Sequence, residues 1–213
     1  MKKIDALQNM RENYKKGEFD ISSVSSSPFV QFAAWFQDAQ EADVSEPNAM
    51  VLSTVSAEAK PSSRVVLLKD FDVKGFVFFT NYLSKKGKDL AHNNFACLNF
   101  WWGILERQVR IEGSIEKISA EESDAYFSSR PVGSQAGAIV SPQSEVIESR
   151  EWLEKKYLEM DLNETKKRPA HWGGYILIPD MFEFWQGREN RLHDRLQFIK
   201  SKEESWKIKR LAP

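Results

Sequence analysis

Between Phe184 and Arg195 the sequence reads Phe-Trp-Gln-Gly-Arg-Glu-Asn-Arg-Leu-His-Asp-Arg. Arg191, His193 and Arg195 stand at i, i+2 and i+4, so an extended segment would turn all three to one face. Two guanidiniums and an imidazole suit a planar, anionic ligand. Arginine grips phosphate or carboxylate in a fork and also lies flat on aromatic rings. Trp185 could wall such a ring. A solvated charged turn, with Asp194 pairing a neighbouring arginine, accounts for the same residues about equally well.

Four further groups carry the same theme. Arg64-Val-Val-Leu-Leu-Lys69 reads as a largely buried strand with a cation at each end. The odd separation turns Arg64 and Lys69 to opposite sides. Desolvating an unpaired charge is costly, so each end needs a carboxylate or a bound anion, unless both simply snorkel to water. Ser84-Lys85-Lys86-Gly87 sits at an expected helix start, where free amides and lysines favour phosphate; a solvated lysine patch is the plainer account. Tyr126, Arg130 and Ser134 are spaced by four and four, although Pro131 and Gly133 bend the line. Together they could satisfy a phosphate, and Tyr126 could equally be helix packing. In Glu106-Arg-Gln-Val-Arg110, Gln108 shares a strand face with Glu106 and Arg110, where an amide can read the edge of a heterocycle or simply face water. Each signal is weak alone; combined in an aromatic-rich protein without a nucleotide fold they imply more than one phosphate, which a mononucleotide such as FMN plus a second small phosphorylated ring fits.

The elements that must position them follow from periodicity and punctuation. The first twenty residues are polar, with Leu7, Met10 and Tyr14 at helical spacing, and read as a marginal helix that needs another surface to rest on. Ser22–Ser27 is a linker. Pro28 opens a helix with an apolar stripe of Phe29, Phe32, Ala33 and Phe36, ending before Pro47. Strands are expected at Ala49–Ser56, Arg64–Lys69 and Phe76–Thr80, with turns at 57–61 and 70–74. A helix starts at Ser84, and strands follow at Phe95–Trp102 and Glu106–Lys117. Ser119-Ala-Glu-Glu122 is a capping box for a helix ending near Arg130, because Pro131 follows. Gly133–Val140 reads as a loop or a turn of helix, Glu145–Met160 as a helix and 161–171 as a polar loop. Gly174–Pro179, Met181–Trp185, Arg195–Ser201 and Trp206–Leu211 are closing strands. Strands at hairpin spacing with helices inserted point to an antiparallel barrel with helices outside. With no repeat and no composition break, one domain is the simplest count.

Composition bounds the rest. The chain has 213 residues, 41% hydrophobic and 29% charged, with formal net charge -1, which gives no bulk argument for nucleic acid or a membrane surface. Cys97 is the single cysteine and lies in an apolar run, so a small packed hydrophobe is expected rather than a nucleophile. His92, His171 and His193 are far apart, and no Cys/His spacing suggests zinc. There is no glycine-rich dinucleotide fingerprint, P-loop or Gly-x-Ser-x-Gly elbow. No apolar run is long enough to span a bilayer and the start lacks the apolar core of a signal peptide, so a reducing, cytoplasmic setting is expected. Seven tryptophans and fourteen phenylalanines supply both core and stacking surface.

Arg64-Val-Val-Leu-Leu-Lys, Phe79-Thr80-Asn, Leu105-Glu-Arg-Gln-Val, Tyr126-Phe-x-Ser-Arg-Pro, Trp172-Gly-Gly, Phe184-Trp-Gln-Gly, Arg191-Leu-His-Asp-Arg and Trp206-Lys-Ile-x-Arg-Leu-Ala-Pro, in this order, resemble the pyridoxamine 5′-phosphate oxidase family from about Met10 to Pro213. The resemblance implies a mainly β (α+β) FMN-binding split β-barrel with peripheral helices. It implies a mobile N-terminal segment over 1–20, a single domain over 21–213, and a homodimer with each active site at the subunit interface. It implies that Arg64 and Lys86 hold the FMN phosphate with Lys85, Thr80 and Ser144 nearby. Val65, Val66, Leu67, Leu68 and Phe79 would line the flavin site, and Gln108, Gln143, Trp185 and Arg195 would complete it. Lys69, Tyr126, Arg130 and Ser134 would clamp the substrate phosphate. Arg191 and His193 would sit over and beside the pyridine ring as the catalytic pair, and Arg11 and Tyr14 would belong to the segment that covers the substrate. The implied reaction is FMN-dependent oxidation of pyridoxamine or pyridoxine 5′-phosphate to pyridoxal 5′-phosphate, with O2 as acceptor, giving H2O2 and, from the amine, NH3. A non-catalytic flavin or pyridoxal-phosphate binder and a flavin reductase with another donor are the alternatives on the same barrel. Two departures bear on turn geometry: Ala57-Glu-Ala-Lys-Pro61 lacks the family's usual turn glycine, and Trp101-Trp102-Gly103 carries an extra aromatic.

Overall fold

The computed structural model describes residues 13–161 and 167–213. The elements run α1 (Pro28–Glu41), β1 (Ala49–Val55), β2 (Pro61–Leu67), β3 (Asp70–Asp72), β4 (Gly75–Asn81), α2 (Lys85–His92), β5 (Phe95–Trp102), β6 (Arg107–Lys117), α3 (Ala120–Ser129), α4 (Val132–Val140), α5 (Arg150–Leu158), β7 (Trp172–Gln186), β8 (Asp194–Lys200) and β9 (Trp206–Arg210). The antiparallel sheet with peripheral helices is the split-barrel fold. The strand order is β2-β1-β5-β6-β7-β4-β3, with β8 on β7 and β9 on β8. No described helix is long and apolar enough to cross a membrane.

Two compact units divide the chain. Among the described residues, the first comprises 13–47, 99–110 and 181–213, the second 48–98, 111–161 and 167–180. In the first, α1 is capped by Ser27 and opened by Pro28. It buries Phe32, Trp35 and Ala39, while Ala33 of the expected stripe faces solvent. Phe32 meets Phe100 at 5.1 Å and Trp35 meets Phe184 at 5.3 Å, both edge-on. Phe182, Phe184, Leu196 and Phe198 are fully buried beside them. In the second unit, Leu52, Phe76, Phe78, Leu98, Phe127 and Leu177 form the fully buried core.

Several expectations are corrected. No helix is present over residues 13–20; residues 1–12 lie outside the described residues. The strand carrying Arg64 is not buried: it has one neighbour, β1, and its faces alternate between exposed and half-buried. Lys69 is not at its end. After Leu68, whose amide donates to Asn48 O at 2.8 Å, the chain crosses over and the Lys69 amide donates to Val77 O of β4 at 2.9 Å. Residues 133–140 belong to a complete helix, α4, and α5 is shorter than 145–160. Pro179 does not divide two strands. β7 pairs β4 through residue 177 and β8 from residue 181, so the missing Pro179 N–H falls where the strand changes partner. The capping box at α3 forms as expected, Ser119 Oγ accepting from Glu122 N at 3.1 Å and Glu122 Oε2 from Ser119 N at 3.0 Å.

Candidate active site

The second unit holds a cluster of cations at the start of α2. Arg64 lies opposite Leu52 in the β1–β2 register, and its guanidinium donates to Leu52 O at 3.2 Å, Thr54 Oγ1 at 2.7 Å and Ser62 Oγ at 2.5 Å. Its nearest carboxylate is Asp89 at 3.8 Å. Asp89 is buried on α2, accepts from Thr54 Oγ1 at 2.8 Å and also pairs Lys85 one turn away at 3.2 Å. Sequence reasoning missed Asp89; the i, i+4 spacing from Lys85 was the available signal. Lys86 is 8% exposed. Among the described residues its ammonium donates only to neutral oxygens, Gln143 Oε1 at 2.9 Å and Ser84 Oγ at 3.4 Å. Burial, and then the neighbouring Arg64 charge, push it down to about 8. Thr80, also buried, donates to the same Gln143 oxygen at 3.2 Å. Ser84 caps α2 by accepting from Gly87 N at 3.3 Å. Gly87 allows that tight entry, because a Cβ there would lie 2.1 Å from Tyr82 O. Ser144 is exposed with φ +74. Val65 is exposed, Val66 and Leu67 are half-buried and Leu68 is buried.

A second anion-seeking group stands in the same unit. Phe79, Tyr126 and Trp172 form a parallel stack, Phe79 lying 3.8 Å from Tyr126 and 5.5 Å from Trp172. Arg130 caps α3 and lays its guanidinium 4.6 Å from the Trp172 ring. Its Nη1 is buried with no hydrogen-bond partner among the described residues. Burial lowers the Arg130 pKa from its ordinary value. The line through Tyr126, Arg130 and Ser134 breaks where Arg130 turns extended, and Ser134 starts again in the first turn of α4. Ser134 and Lys69 are both exposed. A buried guanidinium nitrogen without an acceptor is costly unless an anion completes it.

The first unit carries the ring-facing candidates. Residues 189–191 form a 3-10 turn with Asn190 and Arg191 at φ +56 and +62, so the extended face of Arg191, His193 and Arg195 does not exist. His193 instead lies 4.6 Å from the Trp185 ring, and Tyr14 lies 5.8 Å from each. The extra aromatic Trp101 reaches within 5.9 Å of Trp185. Arg188 N donates to His193 Nδ1 at 3.1 Å. Burial first and Arg191 second lower the His193 pKa, against Asp194. Arg191 is exposed. Arg195 is paired: its Nε donates to Glu183 Oε1 at 2.7 Å, and Arg110 holds the other oxygen at 2.6 Å. Burial alone would raise the Glu183 carboxyl, but the two arginines hold it below the usual range. Glu183, one carboxylate inside an apolar strand, was the signal sequence reasoning passed over. Asp194 does pair arginines, Arg188 at 3.3 Å and Arg210 at 2.9 Å, as the charged-turn reading allowed. Glu106 leaves the expected face of Gln108, since it precedes β6 in the left-handed region at φ +54. Gln108 is half-buried on β6. Tyr14 is in this group; Arg11 lies outside the described residues.

Residues 36–163 match the family model described as pyridoxamine 5′-phosphate oxidase, and residues 172–213 match the one described as pyridoxine 5′-phosphate oxidase C-terminal dimerisation region. A pyridoxine/pyridoxamine 5′-phosphate oxidase of Paraburkholderia phytofirmans is 54% identical over 99% of this chain and 100% of its own, and one of Paraburkholderia phymatum is 55% identical at the same coverage. The crystal structure of PhzG from Burkholderia lata, in complex with tetrahydrophenazine-1-carboxylic acid, superposes with a TM-score of 0.84 at 30% identity, covering 90% of this chain and 95% of that one. An FMN-binding protein of Nostoc punctiforme related to pyridoxamine 5′-phosphate oxidase gives 0.75 at 16% identity, covering 89% and 100%, a likeness of fold.

Proposed function

The chain belongs to the pyridoxamine 5′-phosphate oxidase family, and from that premise we propose that it oxidises pyridoxamine and pyridoxine 5′-phosphate to pyridoxal 5′-phosphate with FMN and O2. The observation that carries the reading is a pair of buried cations without a carboxylate partner among the described residues. Lys86 is buried against neutral oxygens next to Arg64, and Arg130 keeps a buried nitrogen unpaired. One site suits the FMN phosphate, the other the substrate phosphate. Gln143 Oε1, accepting from both Thr80 and Lys86, stands where an anion's oxygen would be held.

In this reading Arg64, Lys86, Thr80 and the α2 start bind the FMN phosphate, with Lys85, Gln143 and Ser144 beside it and Val65–Leu68 and Phe79 along the ring. Gln108, Trp185 and Arg195 complete the flavin end. Lys69, Tyr126, Arg130 and Ser134 bind the substrate phosphate. FMN bound there supplies a two-electron acceptor for the substrate's exocyclic carbon and an outlet to O2, giving H2O2, while the imine from the amine substrate hydrolyses to NH3. Arg191 offers an exposed positive charge over the pyridine, and His193 offers a hydrogen-bond donor beside it. Tyr14 and Trp185 flank His193. Homodimerisation completes each active site, and the matched dimerisation region and the exposed Val65 on the single-neighbour strand β2 support it.

The test is the visible spectrum of the FMN-loaded protein during anaerobic addition of pyridoxine 5′-phosphate. Bands that bleach and return with air support the oxidase. Bands that never bleach favour a flavin binder or a reductase with another donor.

A further inference from the structure

We propose that Glu106 is a positioning residue that latches residues 14–18 so that Tyr14 is held against Trp185 and His193. The proposal rests on the reading of Tyr14 and His193 as substrate-facing. Residues 13–18 belong to no helix or strand, so ordering them needs outside contacts. Glu106 supplies two. Its Oε2 accepts from Lys15 N at 2.9 Å and from Lys16 N at 3.1 Å. The residue is 8% exposed, and a buried carboxylate requires donors of this kind. Farther along, Asp194 Oδ2 accepts from Phe19 N at 3.1 Å, a second tether.

The backbone of Glu106 has a separate task. Its carbonyl accepts from Gly187 N at 2.8 Å and Gln186 Nε2 at 3.3 Å, which fixes the end of β7 just after Trp185. Its φ of +54 is uncommon for a residue with a side chain and is sustained by these contacts on both sides. The carbonyl therefore serves the sheet, and among the described residues the carboxylate's hydrogen bonds go to the 14–18 segment. Tyr14 then fits against Gly187, where any Cβ would lie 2.8 Å from the Tyr14 ring. A cavity of about 480 Å³ borders this segment, lined by Tyr14, Lys15, Gly17, Arg188, Asn190 and Leu192. The latch sets one wall of it.

Glu106→Ala and Glu106→Gln separate the latch from general packing. Both amides converge on one oxygen, so glutamine keeps both bonds and alanine loses both. The alanine variant is expected to be cut by chymotrypsin after Tyr14 about tenfold faster. Its KM for pyridoxine 5′-phosphate should rise by a similar factor with little change in kcat. The glutamine variant should behave like the parent. Lys16→Pro removes one donor from the exposed side and should shift both readouts in the same direction; it decides the matter if the alanine variant does not fold. Unchanged cleavage in the alanine and proline variants, or a glutamine variant cut as fast as the alanine one, overturns the latch. Cleavage reads the latch whether or not the parent oxidises this substrate, so its failure is distinct from failure of the oxidase reading.

Discussion

The backbone amide of Arg188 donates to Nδ1 of His193 at 3.1 Å, so the neutral ring carries its proton on Nε2. Protonating Nδ1 would forfeit that bond, in keeping with the lowered pKa that burial and Arg191 impose. His193 therefore acts as an Nε2–H donor in the neutral state rather than as a base. Nitrogen-15 spectra should report the Nε2–H tautomer at pH 7.5. The folded pKa lies below the ordinary 6.5, so the unfolded state takes up the proton first. The contribution to stability is full above 6.5 and lost as pH falls through the folded value. An Nδ1–H tautomer would refute the assignment.

Lys86 gives the proposed FMN-phosphate site a pH dependence. Its folded value of about 8 lies below the unfolded 10.5, so between the two the unfolded chain holds more protons. The Lys86 term in the stability of the free protein therefore rises with pH across that window. A bound phosphate opposes this by favouring the charged amine. FMN binding at pH 8.5 should draw a proton from solution, seen as a buffer-dependent calorimetric enthalpy, and weaken above pH 8. Lys86→Met should abolish the proton uptake and lower FMN affinity.

Arg130→Lys should raise the KM for the phosphorylated substrate by about 10- to 100-fold, because lysine cannot present the planar fork. FMN affinity should be unaffected. The same substitution removes the buried unpaired nitrogen, so the free protein should not lose stability in proportion. Steady-state kinetics and a thermal scan check both halves; an unchanged KM would take Arg130 out of the clamp.

Ala59 occupies the left-handed position of the β1–β2 turn, at φ +58, with Ser56 N donating to Lys60 O at 3.0 Å and Ala59 N to Ser56 O at 3.0 Å. This is the turn whose sequence lacks the family's glycine. Ala59→Gly should raise stability by about 0.5 kcal/mol, relief of the side-chain clash outweighing the added freedom of the unfolded chain. A lower Tm in the glycine variant would contradict that balance.

Much of the candidate site was legible because it is made of residue types that serve few purposes. Arginines, lysines and a histidine in a protein without a matching charge excess had to meet anions or carboxylates. Which they met was not legible. Arg195 and Arg191 look alike in sequence, yet Arg195 is held by Glu183 across β7–β8 and Arg191 is exposed in a strained turn. Likewise β2 looked buried from its apolar run, and only its place beside a single neighbour exposes Val65.

By itself the sequence determined what acts between near neighbours. The Ser119–Glu122 capping box, the start of α1 at Pro28 and the end of α3 before Pro131 each depend on groups within about one helical turn. It also supplied the donors from which the proposed anion sites are built. Tertiary structure alone decided their pairing. Glu183 neutralises Arg110 and Arg195, Asp89 stands near Arg64, Glu106 holds residues 15 and 16, and Lys86 and Arg130 are left without carboxylates among the described residues. Electrostatic partnership falls off with distance in space, and strand pairing joins residues far apart in the chain. The difference between a spent charge and one free to bind is therefore settled by the sheet and not by spacing in the sequence.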